Sequence, residues 1–555
     1  MEKTRQMHKK AIYLTLFYIA ASCVAKAQST YLPINALDYE VLDKLETRSG
    51  ALDSNLFLSD KPVSRKDAVN FLIEQRKNAR FNELSKGDRS NIRRMESISG
   101  EWMPDGYGAI DSKLPWFHTF YVKQPDFVHV HTDDFFLVLN PIIGLTGLYE
   151  KNSSTNPLYI NSRGLEIRGR ITDKLGFYTW FTDNQEKPVS YIANWANARQ
   201  AVPGADYYQA PGTNKYDYLL AGGYIDFALI KDHINITFGY DRHFIGDGVR
   251  SLIVSDFATS APFLKISSRL GRFRYQNLFL ELTSPYSRGT DRVLPRKYAA
   301  IHHLSVNAAK WLNLGIFEST MFSTRDFDPG YLNPIIFYRS IELASGSNTN
   351  VSAGLNFKAI ALKHLQFYGQ FLLNEGTGSR YGLQAGGKYF DVAGIKNLDI
   401  QGEINYVAPY TYAAKDSSAS YTQYNQPLAH PLGANFAEII GIIRYQPLSH
   451  LYATLKGMYY MQGADTGSIN YGSDIFKSTD TRSLDYGTGF INGSKGNCAL
   501  ANLNLSYELR PNLFFDAGAT YRRYFYPDGM LPTVTTTYGY FGIRLNFIRR
   551  GYDIF

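Results

Sequence analysis

Long apolar runs, cysteine and charged residues are all scarce in this sequence. Beyond the first 27 residues, no stretch carries about 18 consecutive apolar residues, the length that a helix needs to span a bilayer. Membrane-spanning helices are therefore excluded. Only two cysteines occur, Cys23 and Cys498, and charged residues make up only 19% of the chain. If Cys23 is removed with a leader segment, Cys498 has no partner for a disulfide in the mature chain.

The first 27 residues have the three parts of a secretory signal peptide. A basic start lies within residues 3–10, and the apolar stretch Ala11–Ala21 is too short to span a bilayer. Ala25-Lys26-Ala27 then gives the small residues that a signal peptidase recognises. A lipoprotein acylated at Cys23 is the alternative. We expect residues 1–27 to be the signal peptide of an exported protein.

Aromatic residues are abundant, and the chain is basic. They make up 15% of the sequence, with 42 tyrosines, and the net charge is +8. Tyrosine suits a membrane interface, because its ring enters the apolar zone while its hydroxyl reaches water. A positive charge favours contact with acidic lipopolysaccharide or an acidic glycan. The alternative is that this charge has no specific partner; we expect no nucleic-acid partner.

Residues 28–115 carry helical signals that the rest of the chain lacks. Three short apolar stripes each follow a pair of residues suited to capping a helix. The pairs are Asn35 with Asp38, Ser64 with Asp67, and Ser85 with Asp88. Each stripe is too narrow to be stable alone. We therefore predict a small periplasmic helical bundle that packs on the mouth of the following domain.

From residue 116 to residue 555, the pattern is that of transmembrane β-strands. Apolar and polar residues alternate in 161–171, 398–406 and 541–547, which places them on opposite faces of a strand. Segments of about ten residues cross a bilayer when tilted. The polar face then lines the lumen. The candidate lumen-lining residues are Glu166, Arg168, Arg170, Asp399, Glu403 and Arg544. A soluble secreted β-repeat protein is the alternative.

Short turns and long loops alternate along residues 116–555, as in outer-membrane barrels. Eight short turns, with a first strand near 135–149 and a last near 533–547, predict a closed antiparallel barrel of roughly 18 strands. The last strand has the aromatic, glycine and apolar spacing that the barrel-assembly machinery recognises. The residues of this assembly signal are Tyr540, Gly542, Leu545 and Phe547.

Two histidine clusters invite a chemical role, but their spacing argues against it. His129 and His131 share one strand face, yet no third metal ligand has convincing spacing nearby. His302 and His303 precede Ser305, but adjacent histidines point to opposite faces, so at most one shares a face with the serine. We therefore expect no catalytic residue, no metal and no cofactor, and we predict that the protein is not an enzyme.

The loop 409–435 is the strongest candidate for a binding site. Sugars are bound by aromatic faces together with amide and hydroxyl groups, and this loop supplies both. The candidate carbohydrate-binding residues are Tyr410, Tyr412, Tyr421, Tyr424, Asn425, Gln426, His430 and Asn435. The alternative is that these residues pack the loop into the barrel as a structural plug.

Three further stretches resemble the Wzi family of capsule-assembly outer-membrane proteins, and more closely its branch associated with surface gliding. They read FIGDGVRSL (244–252), YLNPIIFYRS (331–340) and YNQPLAHPLGANF (424–436). The resemblance covers most of the mature chain. It implies a lectin-like, non-catalytic barrel that holds exopolysaccharide on the cell surface of a Gram-negative bacterium, but it assigns no individual sugar-binding residue.

Taken together, these features predict a protein that binds and retains exopolysaccharide at the outer membrane. A passive porin for small sugars or ions and a structural partner of a gliding or secretion machine are the alternatives. About a hundred residues precede the first strand, too few for the plug domain of an energised transporter. We therefore expect no energised uptake.

Overall fold

A computed structural model describes residues 29–555, except for 78–82, 105–107, 109, 114, 173, 287–293, 324–328, 333–348, 375–378, 467, 488, 553 and 555. The signal peptide predicted for residues 1–27 lies outside the described residues, as does most of the YLNPIIFYRS stretch. The expectations for both segments therefore stay predictions.

Eighteen long antiparallel strands form one closed barrel. The strands are β1 Phe135–Glu150, β2 Leu158–Ile171, β3 Leu175–Lys187, β4 Lys215–Ile230, β5 Ile234–Asp241, β6 Ala261–Leu270, β7 Phe273–Thr283, β8 Arg296–Ala309, β9 Leu312–Phe322, β10 Thr349–Ala361, β11 Leu365–Asn374, β12 Tyr381–Tyr389, β13 Leu398–Val407, β14 Phe436–Leu448, β15 Leu451–Ala464, β16 Ser494–Arg510, β17 Leu513–Phe525 and β18 Val534–Leu545. The barrel closes where β18 pairs with β1, for example Leu545 with Ile143. The short strands Val128–His131 and Tyr208–Gly212 pair with β1 and β4. The predicted closed barrel is confirmed.

The outer face of the barrel is apolar and its inner face is polar. On β13, Ile404 is exposed, whereas the neighbouring Glu403 and Asn405 are buried. Ile404 pairs with Ile439 of β14, so the apolar surface continues from strand to strand. A closed sheet pairs its backbone groups internally, as a lipid environment requires. None of the helices in the described part of the chain is long and apolar enough to span a membrane.

Short turns lie at one end of the barrel and longer connections lie mainly at the other. Gly271 and Arg272 alone join β6 to β7, and the φ of Gly271 is 57°, a left-handed conformation that such a tight turn needs and glycine adopts easily. The turn predicted near Gly394 and Ile395 lies inside a longer connection, 390–397. The alternation of connection lengths assigns the short turns to the periplasm.

Within the described residues, three α-helices precede the barrel: α1 Leu37–Ser49, α2 Arg65–Lys77 and α3 Lys86–Ile98. Ser85 and Asp88 form the predicted capping box of α3, and the Ser64 hydroxyl accepts a hydrogen bond from the Asp67 amide at the start of α2. The expected cap at Asn35 is wrong. Helix α1 begins after Ala36 without a side-chain cap, because Asn35 lies one position before the N-cap with a φ of 65°, and its side-chain NH2 donates to Asp256.

The helical bundle enters the lumen and fills its periplasmic half. Lys358, on the inner face of β10, binds Glu46 of α1 at 2.6 Å and Asp43 at 3.1 Å. Closer to the centre of the barrel, Asp60 and Lys61 pair as a strand with Ile245 and Phe244 of the connection between β5 and β6. The bundle therefore lies deeper than the mouth of the barrel, where the sequence placed it.

Candidate functional site

The connection between β13 and β14, residues 408–435, folds into the lumen; we call it the plug loop. Tyr410, Tyr412 and Tyr421 are each only 1% exposed. The Tyr412 hydroxyl donates to the carbonyl of Leu252 at 2.7 Å, and the Tyr421 hydroxyl donates to that of Ile253 at 2.8 Å. Tyr412 and Tyr421 therefore join the plug loop to the connection 242–260 inside the barrel, whereas the Tyr410 hydroxyl donates to the carbonyl of Asn470.

The amide side chains of the plug loop are used in the same way. Gln426 donates to the carbonyl of Ala205 at 2.9 Å and accepts from the amide of Gly204 at 2.8 Å. Asn435 donates to the carbonyl of Asn492 at 2.9 Å. Each amide therefore satisfies backbone groups of a neighbouring connection, which fixes the loop in one conformation.

His430 of the plug loop contacts a buried pair of charged side chains. Its Nε2 lies 2.8 Å from Glu438, and Arg250 lies 3.1 Å from the same carboxylate. Burial lowers the pKa of His430, although the negative charge of Glu438 opposes the shift. The imidazole is therefore neutral near pH 7 and acts as a hydrogen-bond partner of the ion pair.

Tyr424 is the candidate that remains partly accessible. Tyr424 and Asn425 form the tip of a tight hairpin, with φ values of 47° and 55°, as a two-residue turn of this kind requires. The Asn425 side chain donates to the carbonyl of Tyr286 at 2.8 Å, and the rings of Tyr286 and Tyr424 meet edge to face. The half-buried Tyr424 ring therefore lies at the surface beside a second tyrosine.

The burial of the other seven candidates favours the structural alternative for the plug loop. Among the eight candidates Tyr424 alone is partly exposed, because the remaining side chains are buried and hydrogen-bonded or packed inside the barrel. Sugar binding by these seven residues stays a prediction.

The six candidate lumen-lining residues all lie on inward faces, where they contact the N-terminal region, the connections between strands or neighbouring strands. Glu403 accepts hydrogen bonds from the amides of Val249 and Arg250, and Arg168 binds Glu101. The other contacts are those of Glu166 with Asn140, Arg170 with the Trp102 ring, Asp399 with the amide of Asp391, and Arg544 with Asp516. All six residues are therefore engaged in contacts inside the lumen.

A cavity of about 780 Å³, with both polar and apolar lining, remains between the bundle and the barrel wall. It extends from Asn397 and Asn512, at the periplasmic turns, to Phe257 and Pro431 beneath the plug loop. The cavity is therefore a vestibule on the periplasmic side of the plug loop.

The two histidine clusters have structural partners. His303 bridges Asp60 at 2.7 Å and Asn356 at 2.8 Å, whereas the Ser305 hydroxyl donates to Asn313. The Ser305 hydroxyl is therefore hydrogen-bonded to an amide oxygen, and His303 is hydrogen-bonded to two other side chains. His129 pairs with Asp126, and no group of three metal-ligating side chains occurs within the described residues.

Sequence comparisons are negative, since no family model and no curated protein match the chain. Solved structures do match. Wzi of Escherichia coli, described as an outer-membrane carbohydrate-binding β-barrel involved in group 1 capsule assembly, superposes with a TM-score of 0.57 at 13% identity, over 93% of this chain and 100% of Wzi. The two chains share a fold. OprD of Pseudomonas aeruginosa matches less well, with a TM-score of 0.41 at 10% identity over 74% of this chain and 94% of OprD.

Two features of the lumen were not predicted from the sequence. One is that Glu403, predicted only to line the lumen, and Glu438 both bind Arg250 of the connection 242–260. Arg250 stands in the FIGDGVRSL stretch, which was the available signal. The other is the segment after β18. The residues of the predicted assembly signal lie in β18 and at Phe547, whose ring packs beside Gly144. Recognition of this signal by the barrel-assembly machinery stays a prediction.

Proposed function

We propose that this protein is a non-enzymatic outer-membrane barrel that binds exopolysaccharide and retains it at the cell surface. The observation that carries the proposal is the closed lumen, which is filled from the periplasmic side by the helical bundle and from the other side by the plug loop. A barrel filled from both ends is suited to presenting a surface and poorly suited to passive diffusion.

The location in the outer membrane of a Gram-negative bacterium follows from the architecture. A closed antiparallel barrel with an apolar outer band and short turns at one end is the form that spans that membrane. The shared fold with Wzi supports the proposed role, since that barrel is described as carbohydrate-binding and as acting in capsule assembly. Association with gliding and contact with surface-machine proteins or lipopolysaccharide stay predictions.

We propose Tyr424 and Tyr286 as the accessible glycan contact. Two tyrosine rings that meet at the surface offer both a stacking face and hydroxyl groups to a sugar. Loss of one aromatic–sugar contact weakens binding by about 1 kcal/mol, or about fivefold in affinity. Tyr424→Ala should therefore weaken polysaccharide binding without affecting assembly of the barrel.

The experiment compares polysaccharide retention on cells that carry the wild-type protein, Tyr424→Ala or no protein, with binding measured on the purified barrel. Tyr459→Ala, on the outer face of β15, is the matched control. Normal retention in the deletion strain would contradict the function. Loss of retention in that strain with normal binding by Tyr424→Ala would contradict only the contact site.

The passive porin is the second candidate that the sequence allowed, and conductance separates it from the proposal. We expect the purified barrel to be nearly non-conducting in planar bilayers, because paired side chains and packed loops fill the lumen. Steady open channels with the conductance of a general porin would favour the porin.

A further inference from the structure

The chain continues beyond β18, which ends at the periplasmic rim of the barrel. Residues 546–552 and 554, which we call the strap, turn back and run up inside the lumen. The turn occurs at Asn546, whose φ of 50° reverses the chain. The side-chain NH2 of Asn546 donates to the carbonyl of Pro141 at 3.0 Å, and its backbone N–H donates to the carbonyl of Asn512 at 3.0 Å. The start of the strap is therefore fixed at the periplasmic end.

The strap is next bound to the barrel wall and to the connection after β3. The guanidinium of Arg550 donates to the carbonyl of Pro203 at 3.1 Å and lies over the Tyr218 ring. The Tyr552 hydroxyl donates to Glu186 on β3 at 3.0 Å. These contacts place the middle of the strap against the upper part of the wall.

The far part of the strap reaches the elements that roof the lumen. A fourth helix, α4 Ser190–Arg199, follows β3 on the side opposite the short turns. The Tyr191 hydroxyl of α4 donates to the carbonyl of Tyr552, and Arg250 of the connection 242–260 donates to the carbonyl of Ile554. Tyr552 is 5% exposed and packs in one apolar cluster with Tyr191 and Ile192. The strap therefore supports α4 from below.

From this path we infer that the strap couples the periplasmic rim of the barrel to its extracellular roof. A shift at the rim changes the position of Tyr552, and α4 responds because both a hydrogen bond and apolar packing join it to that residue. The contacts of Tyr552 with Tyr191 and Ile192 carry the coupling between the strap and α4, and the barrel wall need not move. It is independent of whether the roof binds a glycan.

Hydrogen–deuterium exchange of the purified barrel tests the coupling. A stop codon after Phe547 removes most of the strap but keeps the predicted assembly signal. Tyr191→Phe removes only the hydroxyl that binds the Tyr552 carbonyl. Tyr521→Phe, on the outer face of β17, is the matched control. Local opening raises exchange only in the segment that loses its support.

We expect amide exchange in residues 190–199 to rise about tenfold in the truncated protein and about threefold in Tyr191→Phe, while exchange in β16 changes by less than about twofold. Unchanged exchange in α4 would overturn the coupling, as would an even rise over the whole barrel. If the truncated chain does not assemble, Tyr191→Phe alone decides, since a rise confined to α4 supports the inference and no rise refutes it.

Discussion

At the scale of single residues, His243 is a buried group with a simple response to pH. It is 3% exposed, and neither ring nitrogen has a hydrogen-bond partner among the described residues. Burial lowers the pKa of His243 well below its usual 6.5, and the positive charge of Lys265 acts in the same direction. The folded protein therefore keeps this imidazole neutral, whereas the unfolded chain takes up a proton below about pH 6.5.

The sign of the stability change follows from that difference. The contribution of His243 is fully present above pH 6.5 and is lost as the pH falls, by about 1.4 kcal/mol per unit. Between pH 6.5 and 5.0 we expect the free energy of unfolding to fall by about 2 kcal/mol more in the wild type than in His243→Gln. Urea unfolding at pH 6.5 and at pH 5.0 measures the free energy of unfolding of both proteins. An equal fall between the two pH values in wild type and His243→Gln would refute the prediction.

Arg250 is the residue on which several plug contacts depend. Its guanidinium binds Glu438, whose side chain is fully buried, and its backbone amide binds Glu403. Removing one partner of a buried ion pair leaves an uncompensated charge and costs about 3–5 kcal/mol. We expect Arg250→Met to lower the free energy of unfolding by that amount in the same urea assay.

A surface ion pair supplies the matched control for Arg250. Lys415 and Asp480 lie 3.9 Å apart on the connections after β13 and β15, and their side chains are 69% and 58% exposed. Exposed pairs contribute less than about 1 kcal/mol. Lys415→Met should therefore have a small effect, and equal losses in the two variants would contradict a special role for the buried pair.

At the scale of elements, the start of α3 joins the bundle to the barrel. The Ser85 hydroxyl accepts from the Asp88 amide at 2.9 Å and donates to Asn397 in the turn before β13, also at 2.9 Å. Loss of a serine cap costs about 1 kcal/mol. We expect Ser85→Ala to destabilise the bundle by at least about that amount, measured as faster amide exchange in residues 86–98.

Ser90 lies in the same helix and provides the comparison. It has no capping role, and alanine favours a helix interior. Ser90→Ala should leave amide exchange in α3 unchanged or slower. Faster exchange in both variants would show that α3 responds to any change on its surface, and the capping argument would fail.

The strands were predictable from the sequence because lipid imposes one rule on every strand. Side chains that face lipid must be apolar, so Ile400 and Ile404 alternate with Gln401 and Glu403 whatever lies inside the barrel. The number of strands follows from these periods and from the connection lengths. Local capping signals likewise predicted α2 and α3, because the two residues of each cap lie only three positions apart in the sequence.

The filling of the lumen was not predictable in the same way. Contacts such as Tyr412 with Leu252 join residues far apart in the chain, and no local pattern marks them. Aromatic and amide residues suit both a sugar site and a packed loop, so composition left both roles open for the plug loop. The cap at Asn35 failed for the same reason, since Asp256 is a distant partner.

At the scale of the whole molecule, the orientation in the membrane is the property on which the proposed function depends. The plug loop, α4 and the connection 242–260 lie at the end with the long connections, whereas the bundle enters from the end with the short turns. Barrels of this kind place their short turns in the periplasm. The surface formed by Tyr424 and Tyr286 then faces outward, as the proposed function requires.

Labelling with a membrane-impermeant maleimide tests this orientation. Met530 is exposed in the connection between β17 and β18, and Lys310 is exposed in the short turn between β8 and β9. Cys498 is buried, so background labelling should be low. We expect Met530→Cys to be labelled on intact cells and Lys310→Cys only after the outer membrane is permeabilised. Labelling of Lys310→Cys alone on intact cells would reverse the orientation and place the plug loop in the periplasm, away from any surface polysaccharide.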